Sequence, residues 1–107
     1  MFARVLEFIP KFDKRDELIR IVRNEIHPIL KKQPGFVDVI PLIPEMRNEK
    51  VVSITLWTDK KDADRYEREV LPRVEQILQP FLTTPITWKV YTVETSLCEH
   101  FVNVLVA

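Results

Sequence analysis

The sequence predicts a single α+β domain, residues 1–107, in which an antiparallel sheet carries two helices on one face. Three observations lead there. A strand, a helix and a strand occur twice in 107 residues, a polar turn joins the two halves, and the strands look apolar on both faces. Two helices cover only one side of such a sheet. The other side therefore calls for a partner, and a second copy of the chain, making a homodimer, is the simplest one.

Phe2 to Ile9 forms the first strand candidate, closed by Pro10. Either parity of this strand could face the helices, because Phe2, Arg4, Leu6, Phe8 and Ala3, Val5, Glu7, Ile9 each contain one charge. Asp13 is the expected N-cap of the first helix, with Asp16 and Glu17 placing negative charge on the positive end of its dipole. Leu18, Val22, Ile26, Ile29 and Leu30 recur at steps of three and four and give one buried stripe, with Ile19 widening it. Arg15, Arg20, Arg23 and Lys31 fall elsewhere. Pro28 lies inside the pattern, where it removes the bond to the Asn24 carbonyl and predicts a bend or interruption.

Gln33-Pro34-Gly35-Phe36 then reads as a turn with the chain's only glycine where positive φ is required. Phe36 to Ile43 is the second strand, Glu45 to Lys50 the turn, and Val51 to Trp57 the third strand. Val52, Ile54 and Leu56 share one face of that strand and read as plain core, while the opposite face mixes Ser53 and Thr55 with Val51 and Trp57. Thr58 or Asp59 caps a second helix whose stripe is Ala63, Tyr66, Val70, Val74, Ile77, Leu78 and Phe81, with Pro72 midway. Ile86 to Glu94 is a fourth strand, and the apolar tail His100 to Ala107 a possible extra C-terminal strand on a sheet edge or across a partner subunit. The resulting βαββαβ order is that of ferredoxin-like domains.

Composition narrows the function classes. Sixteen basic and sixteen acidic side chains cancel and form no block, so neither nucleic acid nor an anionic membrane is an expected partner. No stretch approaches the roughly 18 apolar residues of a membrane span, and Arg4 and Glu7 interrupt the N-terminal apolar run. Cys98 is the only cysteine and His27 and His100 lie far apart, so neither a disulfide nor a metal site is expected. A cytoplasmic protein without a metal follows as the expectation.

Pro34-Gly35-Phe36 after the first helix, and Ser53-Ile54-Thr55-Leu56-Trp57 running into a charged helix start with Tyr66, resemble the antibiotic-biosynthesis-monooxygenase-like (ABM) group of dimeric α+β barrel proteins. The resemblance spans roughly residues 2 to 95. It implies a dimeric α+β barrel with a pocket in each subunit between the sheet and its helices, and activities that include cofactor-free oxygenation of polycyclic phenols, quinol oxygenation and haem degradation. The Asn and His that haem-degrading relatives carry would fall near Leu6 or Glu7 and near Gln76, which argues against haem chemistry and for no cofactor.

A cofactor-free oxygenase needs an apolar, water-poor pocket, a base and donors aimed at a substrate anion. Trp57 could wall such a pocket or be core; Tyr66 could offer a phenol to a bound ring or simply pack. His27 has the chemistry of a general base near neutrality, and its place before Pro28 equally suits an exposed or capping residue. Arg4 could bind a substrate anion or pair with Glu7 or Glu94. Asp62, Asp64, Glu67 and Glu69 alternate with cations at helical spacing and read as a solvated surface; Cys98 reads as a bystander thiol. Two functional classes follow: an oxygenase for a hydrophobic aromatic small molecule, with His27 and Tyr66 catalytic and Trp57, Tyr66 and Arg4 contacting substrate, or a non-catalytic homodimeric binding or scaffold module.

Overall fold

The structure, a computed structural model, describes residues 1–98. The expected strand from His100 to Ala107 lies outside the described residues. Strands β1 (Phe2–Phe8), β2 (Phe36–Leu42), β3 (Val51–Trp57) and β4 (Thr87–Thr92) form one sheet in the order β2-β3-β1-β4, with every neighbouring pair antiparallel. This is the ferredoxin-like arrangement, with the first strands of the two halves paired at the centre.

The register settles the parity left open by the sequence. Arg4 faces Thr55, Leu6 faces Ser53 and Phe8 faces Val51, and cross-strand partners share a face of the sheet. Leu6, Phe8, Val51 and Trp57 belong to the helix-side core, so the even residues of β1 and the Ser53/Thr55 face of β3 look at the helices. Val52, Ile54 and Leu56 lie on the far face, beside Val5 on β1 and Ile40 and Leu42 on β2. The face that reads as plain core is thus the one the helices leave uncovered, and Ile40, Leu42 and Tyr91 there are 40%, 48% and 50% exposed. An apolar sheet face of this kind is what a partner would bury.

Each helical segment is broken at its proline in the same way. In the first, α1 (Arg15–Ile21) and α2 (His27–Lys31) flank a π-helical turn, Val22–Ile26; in the second, α3 (Lys60–Arg65) and α4 (Leu71–Leu78) flank another, Tyr66–Val70. The amide of His27 donates to the Val22 carbonyl and that of Leu71 to the Tyr66 carbonyl, five residues back. Pro28 and Pro72 follow directly, so the helix widens where a proline ring would otherwise meet the carbonyl four residues earlier. The extra residue also shifts the buried stripe: Leu71, 1% exposed, takes the core place that a 3.6-residue period gives to Val70, which is only half-buried.

Of the two caps, the first differs from expectation. The first helix takes Lys14, not Asp13, as its N-cap and uses no side-chain cap, the Leu18 amide donating to the Lys14 carbonyl at 2.9 Å. Asp59 is the N-cap of the second helix, while the Thr58 hydroxyl and amide both donate to the Gly35 carbonyl. The turn before β2 closes as expected, with Phe36 N–H on the Gln33 carbonyl and Gly35 at φ +79°.

Candidate active site

Between the inner sheet face and the first helical segment lies a cavity of about 310 Å³. Its floor is Leu6 and Phe8 of β1 with Val51, Ser53 and Thr55 of β3, its roof Leu18, Val22, Ile26 and Leu30, and Tyr66, Val74 and Leu78 close one side. Serine and threonine at the sheet centre are too small to reach the helix above, and that missing side-chain volume is the cavity. A void of about 150 Å³ accepts one benzene ring, so this one has room for roughly two or three fused rings. Arg15 donates to the Pro44 carbonyl at 2.9 Å and ties the β2–β3 loop to α1 beside Ile43, another lining residue.

The polar groups on this apolar wall are Ser53, Thr55, Tyr66, His27 and Arg23. Thr55 Oγ1 accepts the indole N–H of Trp57 at 2.9 Å and donates to the Arg4 carbonyl at 3.4 Å, so its own proton is engaged. Tyr66 is 2% exposed, and burial, followed by the nearby charges of Glu75 and Glu67, pushes its phenol far above its ordinary range. It stays neutral, which makes it a hydrogen-bond donor and not a base. His27, half-buried, ends the first π turn and also lines the cavity. Each π turn is thus associated with a polar residue of the site, Tyr66 opening the second and His27 directly following the first.

His27 and Tyr66 are therefore brought together on one cavity, whereas Arg4 and Trp57 are not part of its wall. Trp57 is fully buried behind it, stacked on Tyr66 with centroids 4.8 Å apart and met edge-on by Phe36 at 5.6 Å. Arg4 is 1% exposed and points under the second helix, where it meets Asp64 at 2.5 Å and Glu67 at 3.8 Å. The expected partners are a correction: Glu7 has the opposite parity and meets Lys50 and Lys89, and Glu94 accepts from Ser96. The solvated reading of the second helix's acids also changes, since Asp62 is buried beneath Gly35 and pairs with Arg65, and Asp64 neutralises Arg4.

Sequence reasoning missed Arg23, Ser53 and Thr55 as wall residues. The signal was the alternation Val51, Ser53, Thr55, Trp57, which marks a face with too little volume for a core. Among the described residues no group of three His, Cys, Asp or Glu could hold a metal ion, and no helix is long and apolar enough to cross a membrane.

Comparison with known proteins agrees with this geometry. The profile of the antibiotic biosynthesis monooxygenase family matches residues 1–71. SnoaB, a cofactor-independent oxygenase from Streptomyces nogalater, superposes with a TM-score of 0.70 at 22% identity over 92% of this chain and 97% of its own. The ActVA-Orf6 monooxygenase of Streptomyces coelicolor, solved with nanaomycin D, gives 0.66 at 17% identity over 87% of each chain. A conserved protein from Methanosarcina mazei gives 0.69 at 19% identity, covering 88% of this chain and 94% of that one. No curated protein sequence matches significantly. With the family profile covering well over half of its length, the chain belongs to the antibiotic biosynthesis monooxygenase family.

Proposed function

We propose that the chain is a homodimeric, cofactor-independent monooxygenase that takes a hydrophobic aromatic molecule into the cavity between β1–β3 and the first helical segment. The observation that carries this reading is the cavity itself: about 310 Å³, apolar, with neutral hydroxyls on its floor and half-buried His27 on its wall. SnoaB and ActVA-Orf6 share the fold, and their oxygenase chemistry and nanaomycin D ligand support the substrate class. A cytoplasmic setting is part of the proposal, and Cys98, the only cysteine, leaves the chain independent of an internal disulfide.

The chemistry asks little of the protein. His27 accepts a proton from a ring CH₂ that is conjugated, through the fused aromatic rings on either side, with the carbonyl opposite it in the same ring, leaving a delocalised enolate. Tyr66 and Ser53 donate hydrogen bonds to the oxygen that gains the charge. The enolate carbon reduces O₂ and forms the new C–O bond. The resulting peroxide anion takes back the proton held by His27 and the hydroperoxide loses water, so CH₂ and O₂ become C=O and H₂O with no outside reductant and His27 is restored. The dry cavity wall holds the enolate away from bulk protons.

Oxygen uptake on adding a dihydroxyanthrone tests the reading. Protein-dependent uptake that falls in Tyr66→Phe and His27→Ala supports it. Binding of the anthrone without any uptake above the spontaneous rate favours the non-catalytic homodimeric module instead.

A further inference from the structure

We infer that Arg23 makes the cavity selective for aromatic acids, holding a carboxylate at the mouth while the ring system lies inside. The inference rests on the cavity being a ligand site, as proposed above. Among the described lining residues Arg23 is the one with a permanent charge, and no carboxylate lines the cavity. It is exposed, so it stands at the mouth, while Thr55 on the floor and Tyr66 on the side wall are buried.

Arg23 is also uncommitted. Arg4, Arg15, Arg65 and Arg68 each reach a carboxylate or a carbonyl, but Arg23 has no ion pair or hydrogen bond among the described residues. Its helical neighbours at three and four residues are Ile19, Arg20, Ile26 and His27, so no acid on its own turn captures it. Glu25, the nearest acid in sequence, lines a separate groove with Lys32 and Arg73.

The cavity interior excludes the alternative orientation. An ionised carboxylate carried to the floor would lose its hydration against leucine, isoleucine and valine side chains, a cost that neutral hydroxyls do not repay. At the mouth it keeps part of its hydration and meets a guanidinium that can grip both oxygens. Acid outward and ring inward therefore also sets which end of the ligand reaches Tyr66. Because Arg23 is solvated, the gain is modest, about three- to tenfold in affinity.

Titration calorimetry with 2-naphthoate and its neutral isostere 2-naphthamide tests this. Wild type should prefer the acid by about three- to tenfold. Arg23→Gln should bring the ratio to about one without changing naphthamide affinity, and Arg23→Glu should invert it. Arg20→Gln, the adjacent exposed arginine outside the lining, should leave the ratio intact. A ratio near one in wild type, a preference that survives Arg23→Gln, or an equal loss in Arg20→Gln overturns the inference. Should the amide bind and the acid preference be absent, only this inference falls; should neither compound bind, the ligand-cavity reading falls and takes it along.

Discussion

Tyr66 lies stacked on Trp57, with ring centroids 4.8 Å apart and planes 27° apart, so a fully buried indole backs the phenol that lines the cavity. The same indole donates its N–H to Thr55, a second wall hydroxyl. One side chain outside the cavity thereby fixes the position of two polar groups on its surface, which is how a small domain preorganises a site without a dense hydrogen-bond network.

Tyr66→Phe should preserve the fold to within about 1 kcal/mol and lower oxygen uptake. Trp57→Ala should cost about 3–5 kcal/mol, since it empties a fully buried site. The raised pKa of the Tyr66 phenol adds a pH signature. A folded value above the unfolded 10.0 contributes stability that is fully present below pH 10.0 and is lost as pH rises from there toward the folded value. Urea midpoints across the alkaline range should fall more steeply for wild type than for Tyr66→Phe.

Arg4 and Asp64 should respond unequally to mutation. Arg4 is the buried member of the pair, and its Nε already lacks a hydrogen-bond partner, while Asp64 is 39% exposed and Glu67 27%. Removing Asp64 strands a buried cation, whereas Arg4→Met leaves carboxylates that water can reach. Asp64→Ala should therefore lower the melting temperature more than Arg4→Met, and the double variant should recover part of the loss. Lys60 first, and Arg4 second, hold the Asp64 carboxyl below its ordinary 3.8. Its contribution to stability is present above pH 3.8 and lost as pH falls through the lower folded value, a loss that Arg4→Met should reduce in part.

Gly35→Ala should be destabilising by more than about 1 kcal/mol, because φ is +79° and an added Cβ would lie 2.7 Å from Cβ and Cγ of the buried Asp62. Adding Asp62→Gly should return the steric part of that loss and leave the backbone part. Thermal unfolding of the two single variants and the double variant measures the coupling.

Much of the fold was legible in the chain because two periodicities and one glycine mark it. Ala63, Tyr66, Val74 and Leu78 fell at helical spacing and are buried, and Gly35 announced a turn that closes where expected. The π turns were legible only as interruptions at Pro28 and Pro72; widening by one residue changes which side chain faces the core, and that is how Leu71 escaped the pattern. Sheet parity was not legible, since β1 carries a charge on either face and the buried charge, Arg4, finds partners 60 and 63 residues away. The cavity followed parity: Ser53 and Thr55 read as a polar face until the register turned them toward the helices.

Dimerisation through the uncovered sheet face makes its own prediction. Ile54, between Val5 and Ile40 in the register, sits centrally on that face, and Ile54→Lys should convert a homodimer into monomers at micromolar concentration. Sedimentation of the wild type as a monomer would remove the partner from the account.

The cavity is tested most directly by filling it. Ser53→Phe places a ring on the floor of a space of about 310 Å³, where it replaces void with apolar contact. Titration of a dihydroxyanthrone into this variant should show at least about a tenfold loss of affinity, with the melting temperature equal to or above that of wild type. Undiminished binding by a folded Ser53→Phe protein would contradict the placement of the ligand between sheet and helix.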